Sequence, residues 1–205
     1  MKLNALDYLG ISDYFSEEEI MVQNTARTFV EKEVMPIIEE FYKKGEFPEH
    51  LISKFAELGF FGVNIPEKYG CSGMSNIAYG LICQELERAD SGVRSFASVQ
   101  GSLVMYPIYE YGSEEQKMHW LPKLANGEKI GCFGLTEPNF GSNPSGMLTN
   151  AKKTDGGYIL NGSKMWITNG TIADIAIVWA KDDSGDIRGF IVEKDFKGFS
   201  APVMH

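Results

Sequence analysis

The sequence is poor in cysteine, in histidine and in long apolar runs, and each shortage excludes a class of protein. Its 205 residues hold three cysteines and three histidines. Cys71, Cys83 and Cys132 are scattered and form no C-x-x-C pair, which argues against a disulfide framework and indicates reduced thiols. No histidine lies beside a cysteine pair, so the spacing predicts no metal site.

Basic charge is also scarce. The chain has 19 Lys and Arg against 28 Asp and Glu, for a net charge of −9, and it lacks the cation clusters that bind a nucleic-acid backbone. No segment approaches the length of a membrane span, and the N-terminus M-K-L-N-A-L-D-Y-L-G lacks the apolar stretch of a signal peptide. We therefore expect no nucleic-acid or membrane partner, and a location in the bacterial cytoplasm or, if the chain is processed, the mitochondrial matrix.

Hydrophobic residues, at 43% of the chain, are sufficient for a real core. Residues 1–127 show helical periodicity and are predicted to form an all-helical domain. Pro36 is expected to end the first helix, because proline clashes with the preceding turn. Two capping boxes mark helix starts, and the pairs are Ser16 with Glu19 and Ser113 with Gln116.

Residues 128–205 change to short apolar runs between turn clusters, which predicts a β domain. The runs 175–179 and 190–192 are the clearest strands. Asn161-Gly162 is a strong signal for a two-residue type I′ turn. It predicts a hairpin that joins residues 158–160 to residues 164–167.

The stretch G-C-F-G-L-T-E-P-N-F-G-S-N-P-S-G (131–146) has the composition of an exposed, tightly turned loop. Glycines let backbone amides approach a ligand, and the hydroxyls of Thr136 and Ser142 can donate to a polar cofactor. On their own, both hydroxyls are ordinary turn residues. Trp166, in W-I-T-N, is on its own a core or cross-strand aromatic.

Together, the two motifs resemble the signature of the flavin-dependent acyl-CoA dehydrogenases. The resemblance implies an α+β chain, with an all-helical N-terminal domain followed by a β-barrel middle domain. The family's C-terminal helical bundle, which carries the catalytic glutamate and most oligomer contacts, has no counterpart here. We therefore expect a fragment that contains no catalytic base.

The resemblance also implies FAD as cofactor and assigns roles to individual residues. The loop and the W-I-T-N segment would contact the flavin through Phe133, Leu135, Thr136, Gly141, Ser142, Trp166, Ile167 and Thr168. Ser142 would also lie near the pantetheine arm of the substrate. This chain has Asn143 where the family usually has aspartate, so we expect weaker bracing of the loop rather than loss of flavin binding.

The segment E-L-E-R-A-D-S-G-V-R-S (85–95) resembles the glutaryl-CoA dehydrogenase branch of the family. Arg94 and Ser95 would receive the distal carboxylate of the acyl chain, and Glu87 would lie near the same carboxylate. A guanidinium there disfavours an apolar acyl chain, because it would be left unpaired. Tyr106 stands where that branch has histidine. Solvated ion pairs on a helix face are the simpler interpretation of three neighbours, Glu85, Arg88 and Asp90.

The expected function is oxidation of an acyl-CoA thioester, most closely glutaryl-CoA, with electrons passed to an electron-transfer flavoprotein and a homotetramer as the full-length enzyme. The sequence leaves open whether the enzyme also decarboxylates to crotonyl-CoA, and whether its substrate carries another acyl chain. A second class is a non-catalytic, truncated module that binds FAD or acyl-CoA. A plain interaction domain would leave the loop composition unexplained.

Overall fold

The computed structural model describes residues 7–203, which form a helical part followed by a sheet. No helix in this range is long and apolar enough to span a bilayer. The helices are α1 (Glu17–Phe29), α2 (Met35–Lys44), α3 (Ile52–Glu57), α4 (Asn76–Ala89), α5 (Ser91–Ser98), α6 (Tyr106–Tyr111) and α7 (Glu114–Ala125). Two π-helical segments, Val30–Val34 and Val99–Met105, join α1 to α2 and α5 to α6.

Five strands form one sheet: β1 (Gly131–Gly134), β2 (Asn150–Thr154), β3 (Gly157–Asn161), β4 (Ile175–Lys181) and β5 (Ile187–Glu193). β4 is central, parallel to β1 and antiparallel to β5, and its last residue also pairs with β2. The predicted α+β class is confirmed, although the described strands do not show a closed barrel. Residues 131–134, expected in an exposed loop, instead form the largely buried strand β1.

Both capping boxes are confirmed. The Ser16 hydroxyl accepts from the Glu19 N–H while the Glu19 carboxylate accepts from the Ser16 N–H, and Ser113 and Gln116 do the same at α7. Each box satisfies two N–H groups that the first turn of a helix leaves without partners. The helix starts are therefore specified locally.

The prediction that Pro36 ends the first helix is wrong. The chain stays helical from Glu17 to Lys44 because a π-helical turn precedes the proline. There the Met35 N–H bonds to the carbonyl of Val30, five residues back. This wider turn accommodates a ring that would clash with the carbonyl four residues back in a regular helix. Pro107 follows the second π segment in the same way.

The predicted hairpin at Asn161-Gly162 is also wrong. β3 pairs antiparallel with the strand before it, β2, rather than with the segment after it. Thr154 lies opposite Gly157, so the turn is Asp155-Gly156. Residues 164–167 lie in no strand. Asp-Gly is as good a hairpin signal as Asn-Gly, and here it lies between the two segments that pair.

The helical part and the sheet are joined through the second π segment. Gln100 is fully buried, and its amide nitrogen donates to the carbonyls of Leu124 and Lys129 at 3.0 and 2.9 Å. Its amide oxygen accepts from the Gly131 N–H at 2.8 Å. Because these bonds connect three segments, they fix β1 against the helix that follows α5.

Gly131→Ala is expected to destabilise the protein by about 1–3 kcal/mol, the usual cost of overpacking. An added Cβ would lie 2.4 Å from Val104 Cγ1 and 2.8 Å from Cγ2. Urea unfolding followed by circular dichroism measures the loss. Gly80→Ala is the control: its Cβ meets nothing within 4 Å, and alanine favours a helix, so stability should rise. Equal losses in both variants would contradict the packing argument.

Candidate functional site

The residues predicted from the motifs fall into two groups. The flavin group comprises Phe133 in β1, Leu135, Thr136, Gly141 and Ser142 after β1, and Trp166, Ile167 and Thr168 between β3 and β4. The acyl group comprises Glu87 in α4 and Arg94 and Ser95 in α5. Within residues 7–203, no hydrogen bond joins one group directly to the other. They are linked through the segment that Gln100 ties to β1.

The two motifs of the flavin group are brought together. The Met165 N–H donates to the carbonyl of Thr136 at 2.9 Å, and Lys164 Nζ donates to the carbonyl of Leu135 at 3.1 Å. The segment beside Trp166 therefore lies against the end of β1. Gly141 and Ser142 are exposed in the loop beyond it.

Trp166 is exposed and held in an unusual backbone conformation. Its φ is 62° and 72% of its surface is accessible. A left-handed backbone costs a non-glycine residue about 1–3 kcal/mol, and such strain concentrates at functional sites. The interpretation of Trp166 as a core aromatic is wrong, because a large apolar surface is presented to the outside.

The hydroxyls of the flavin group are available to a ligand. Those of Thr136, Ser142 and Thr168 form no hydrogen bond with another group in residues 7–203. With the exposed indole of Trp166, the flavin group offers both hydroxyl donors and a flat apolar surface. A planar, hydrogen-bonding group such as a flavin fits this chemistry.

A buried ion pair that the motif interpretation missed braces the flavin group. Lys164 Nζ lies 2.9 Å from Glu137 Oε1, and the two side chains are 10% and 4% exposed. The same carboxylate accepts from the N–H groups of Leu148 and Thr149 at 2.7 and 2.9 Å. The pair therefore connects both ends of the loop to the Trp166 segment.

The electrostatics of Glu137 reflect this bonding. Burial alone would raise its pKa, but hydrogen bonds from Leu148, Thr149 and Lys164 lower the pKa to about 2. The group is thus ionised at neutral pH and locked in place. Both residues stood inside the quoted motifs, as T-E-P and S-K-M, and the available signal was that each is the only charged residue of its motif.

The side chain of Asn143 contributes little to bracing the loop. Among the described residues, its side-chain oxygen accepts only from the Ser145 hydroxyl, at 2.7 Å, at the exposed surface of the loop. The loop is held from inside by Glu137 instead. The inward contacts of the loop are therefore made by Glu137 and not by Asn143.

The acyl group forms a tight polar cluster. Arg94 Nε donates to Glu87 Oε2 at 2.6 Å, and the Ser91 hydroxyl donates to Glu87 Oε1 at 2.7 Å. The bonds from Ser91 and Arg94 lower the pKa of Glu87. The bond to Glu87 raises the pKa of Arg94 despite its partial burial. The contact needs the break between α4 and α5, where Asp90 caps α5 by accepting from the Val93 N–H.

The hydroxyl of Ser95 forms no hydrogen bond in the described part of the chain, and Tyr106 lies partly exposed at the start of α6.

The buried position of Glu85 corrects the expectation that it lies on a solvated helix face. It is 1% exposed and bridges Arg27 and Arg88, so it ties α1 to α4. Among the described residues, no cluster of three or more His, Cys, Asp or Glu could hold a metal ion.

Comparison with known proteins agrees with this arrangement. The family model "Acyl-CoA dehydrogenase, N-terminal domain" matches residues 16–128, and "Acyl-CoA dehydrogenase, middle domain" matches residues 132–205. An acyl-CoA dehydrogenase of Bacillus subtilis is 41% identical over 191 residues, which are 91% of this chain and 50% of the relative.

Two solved structures are similar over almost the whole chain. The glutaryl-CoA dehydrogenase of Mycobacterium smegmatis has a TM-score of 0.92 and 50% identity, covering 97% of this chain and 51% of its own. A structure of a glutaryl-CoA dehydrogenase from the same organism in complex with FADH2 has a TM-score of 0.91 and 50% identity, covering 95% and 50%. This chain thus spans about half the length of these relatives. With both family domains matched, the chain belongs to the acyl-CoA dehydrogenase family.

Proposed function

We propose that the chain carries the flavin and acyl recognition of an FAD-dependent acyl-CoA dehydrogenase that acts on glutaryl-CoA. The observation that carries the substrate is Arg94, a partly buried guanidinium held by Glu87 and next in sequence to Ser95. The 50% identity to the glutaryl-CoA dehydrogenase of M. smegmatis supports the same substrate. The FADH2 complex of a glutaryl-CoA dehydrogenase from the same organism supports the cofactor.

FAD, when bound, would supply the acceptor for a hydride from the carbon β to the thioester carbonyl. The chain would hold its polar edge with the backbone of Phe133 and Leu135 and the hydroxyl of Thr136. The ring would be held by the segment Trp166, Ile167 and Thr168. Gly141 and Ser142 would face the pyrophosphate and the pantetheine arm.

Arg94 and Ser95 would bind the distal carboxylate, which fixes how far the acyl chain enters the site. A charged group there selects a dicarboxylic acyl chain, because an apolar one leaves the cation without a ligand. Glu87 would lie beside the same carboxylate. We assign no residue of this chain as the base, and we propose an electron-transfer flavoprotein as the electron acceptor of the whole protein.

A visible spectrum of the purified chain tests the proposal. After incubation with FAD and removal of the excess, we expect retained flavin whose spectrum shifts with anaerobic glutaryl-CoA but is not bleached. Butyryl-CoA, which lacks the distal carboxylate, should require a higher concentration. Absence of retained flavin would contradict the cofactor, and tighter binding of butyryl-CoA would contradict the substrate. Bleaching would show a base within the chain.

A further inference from the structure

We propose that Ser98 is a specificity-determining positioning residue. Its hydroxyl holds the guanidinium of Arg94 so that the remaining N–H groups are presented to the distal carboxylate of an acyl-CoA. The inference rests on the proposed function, since it requires that Arg94 receive such a carboxylate. No motif of the sequence singles out Ser98.

The guanidinium is held at two different nitrogens from two helices. Arg94 Nε donates to Glu87 Oε2, on α4, at 2.6 Å, and Nη1 donates to Ser98 Oγ, one turn further along α5, at 3.1 Å. One contact alone would leave the planar group able to rotate about the Cδ–Nε bond. Two contacts at different nitrogens fix both its position and its plane.

The hydroxyl of Ser98 is itself oriented. It donates its hydrogen to the carbonyl of Ser95 at 3.1 Å, a local bond that serine often forms with the preceding helical turn. With the hydrogen committed, the lone pairs of the oxygen are left to accept from Arg94. Ser98 therefore acts as a fixed acceptor at this position.

The remaining N–H groups of Arg94 lie on its two terminal nitrogens, Nη1 and Nη2. Glu87 uses Nε and Ser98 uses Nη1, and within residues 7–203 no hydrogen bond joins Nη2 to another group. This leaves the second N–H of Nη1 and both N–H groups of Nη2. A carboxylate can accept from Nη2 without displacing Glu87 or Ser98. An acyl chain with a terminal methyl cannot use it.

Ser98→Ala in the FAD-loaded chain tests the inference. Dissociation constants for glutaryl-CoA and butyryl-CoA are measured from the flavin spectrum. Without Ser98 the guanidinium has to be ordered when the carboxylate binds, which predicts about 3- to 10-fold weaker binding of glutaryl-CoA, with butyryl-CoA unchanged. Ser98→Thr keeps the hydroxyl and should restore the preference. A purely structural role would affect both thioesters alike.

Ser53→Ala is the matched control. The Ser53 hydroxyl donates to the carbonyl of His50, three residues back as in Ser98, but within residues 7–203 it forms no hydrogen bond with the acyl group. The control should leave both affinities unchanged. An unchanged glutaryl-CoA preference in Ser98→Ala would overturn the inference alone. Equal affinity of the unsubstituted chain for the two thioesters would overturn the substrate and the inference together.

Discussion

Lys164→Met is expected to lower the free energy of unfolding by about 3–5 kcal/mol. This is the usual cost of removing one partner of a buried ion pair, because the other charge stays buried without its partner. The variant removes the ammonium 2.9 Å from Glu137. The carboxylate keeps the N–H groups of Leu148 and Thr149 but loses its only cation among the described residues. Urea unfolding at pH 7, followed by circular dichroism, measures the difference.

Lys194→Met is the control for this prediction. Lys194 Nζ lies 2.8 Å from Asp174 Oδ1, but the lysine is half exposed and Lys129 contacts the same carboxylate. Exposed pairs contribute about 0–1 kcal/mol, so the control should lose little. Similar losses in the two variants would show that burial of the Glu137 pair is not the cause.

The pH dependence gives an independent check. The pKa of Glu137 is lowered from 4.5 to about 2 in the folded protein, so its contribution is complete above about pH 4.5 and disappears as pH falls toward 2. Without Lys164, the pKa of Glu137 in the folded protein is lowered less. The variant therefore loses less stability than the unsubstituted protein as the pH falls from 5 to 2. The difference between the two proteins should therefore shrink between pH 5 and pH 2. A constant difference would contradict the assignment.

Helix starts could be predicted from the sequence because a capping box is made by residues three apart. The effect of Pro36 could not, because it depends on whether the preceding turn widens. In this chain the π-helical turn lets α2 continue from α1, and Val30 and Val34 of that turn are buried in the core. A breaker residue thus predicts local strain but not how the backbone relieves it.

The hairpin shows the same limit for strands. Asp155-Gly156 and Asn161-Gly162 are both turn signals, and local sequence does not rank them. The choice is made by pairing: β2 takes β3 as its antiparallel partner. Gly162 instead lies close to Thr149, where a Cβ would be 2.3 Å from the hydroxyl. That close approach involves residues 13 apart and is invisible to local rules.

The motifs predicted which segments form the candidate site but not how they are held. The contact between Glu137 and Lys164 spans 27 residues, and each alone is one charge in a loop. Glu87 and Arg94 are seven residues apart in the sequence. In one straight helix, residues at this spacing share a face but lie about two turns apart along the axis. The interruption at Asp90 is what brings them into direct contact.

Arg94→Met is expected to weaken glutaryl-CoA binding by about 30- to 100-fold, because a carboxylate loses its charged, planar partner. Butyryl-CoA should bind as well or better, since an apolar side chain replaces a cation that it cannot pair with. Stability should change little, because Glu87, which loses its partner, is 46% exposed. Titration of the flavin spectrum with both thioesters measures the preference.

Two variants separate the geometry of Arg94 from its charge. Arg94→Lys keeps the charge but not the planar fork, so glutaryl-CoA affinity should lie between those of the unsubstituted chain and Arg94→Met. Arg188→Met removes the same charge from β5, where Arg188 pairs with Asp182 and Asp186, and should leave the preference intact. Equal weakening of both thioesters in Arg94→Met would mean that the cation acts on the phosphates of CoA. That result would contradict a role in recognising the acyl carboxylate.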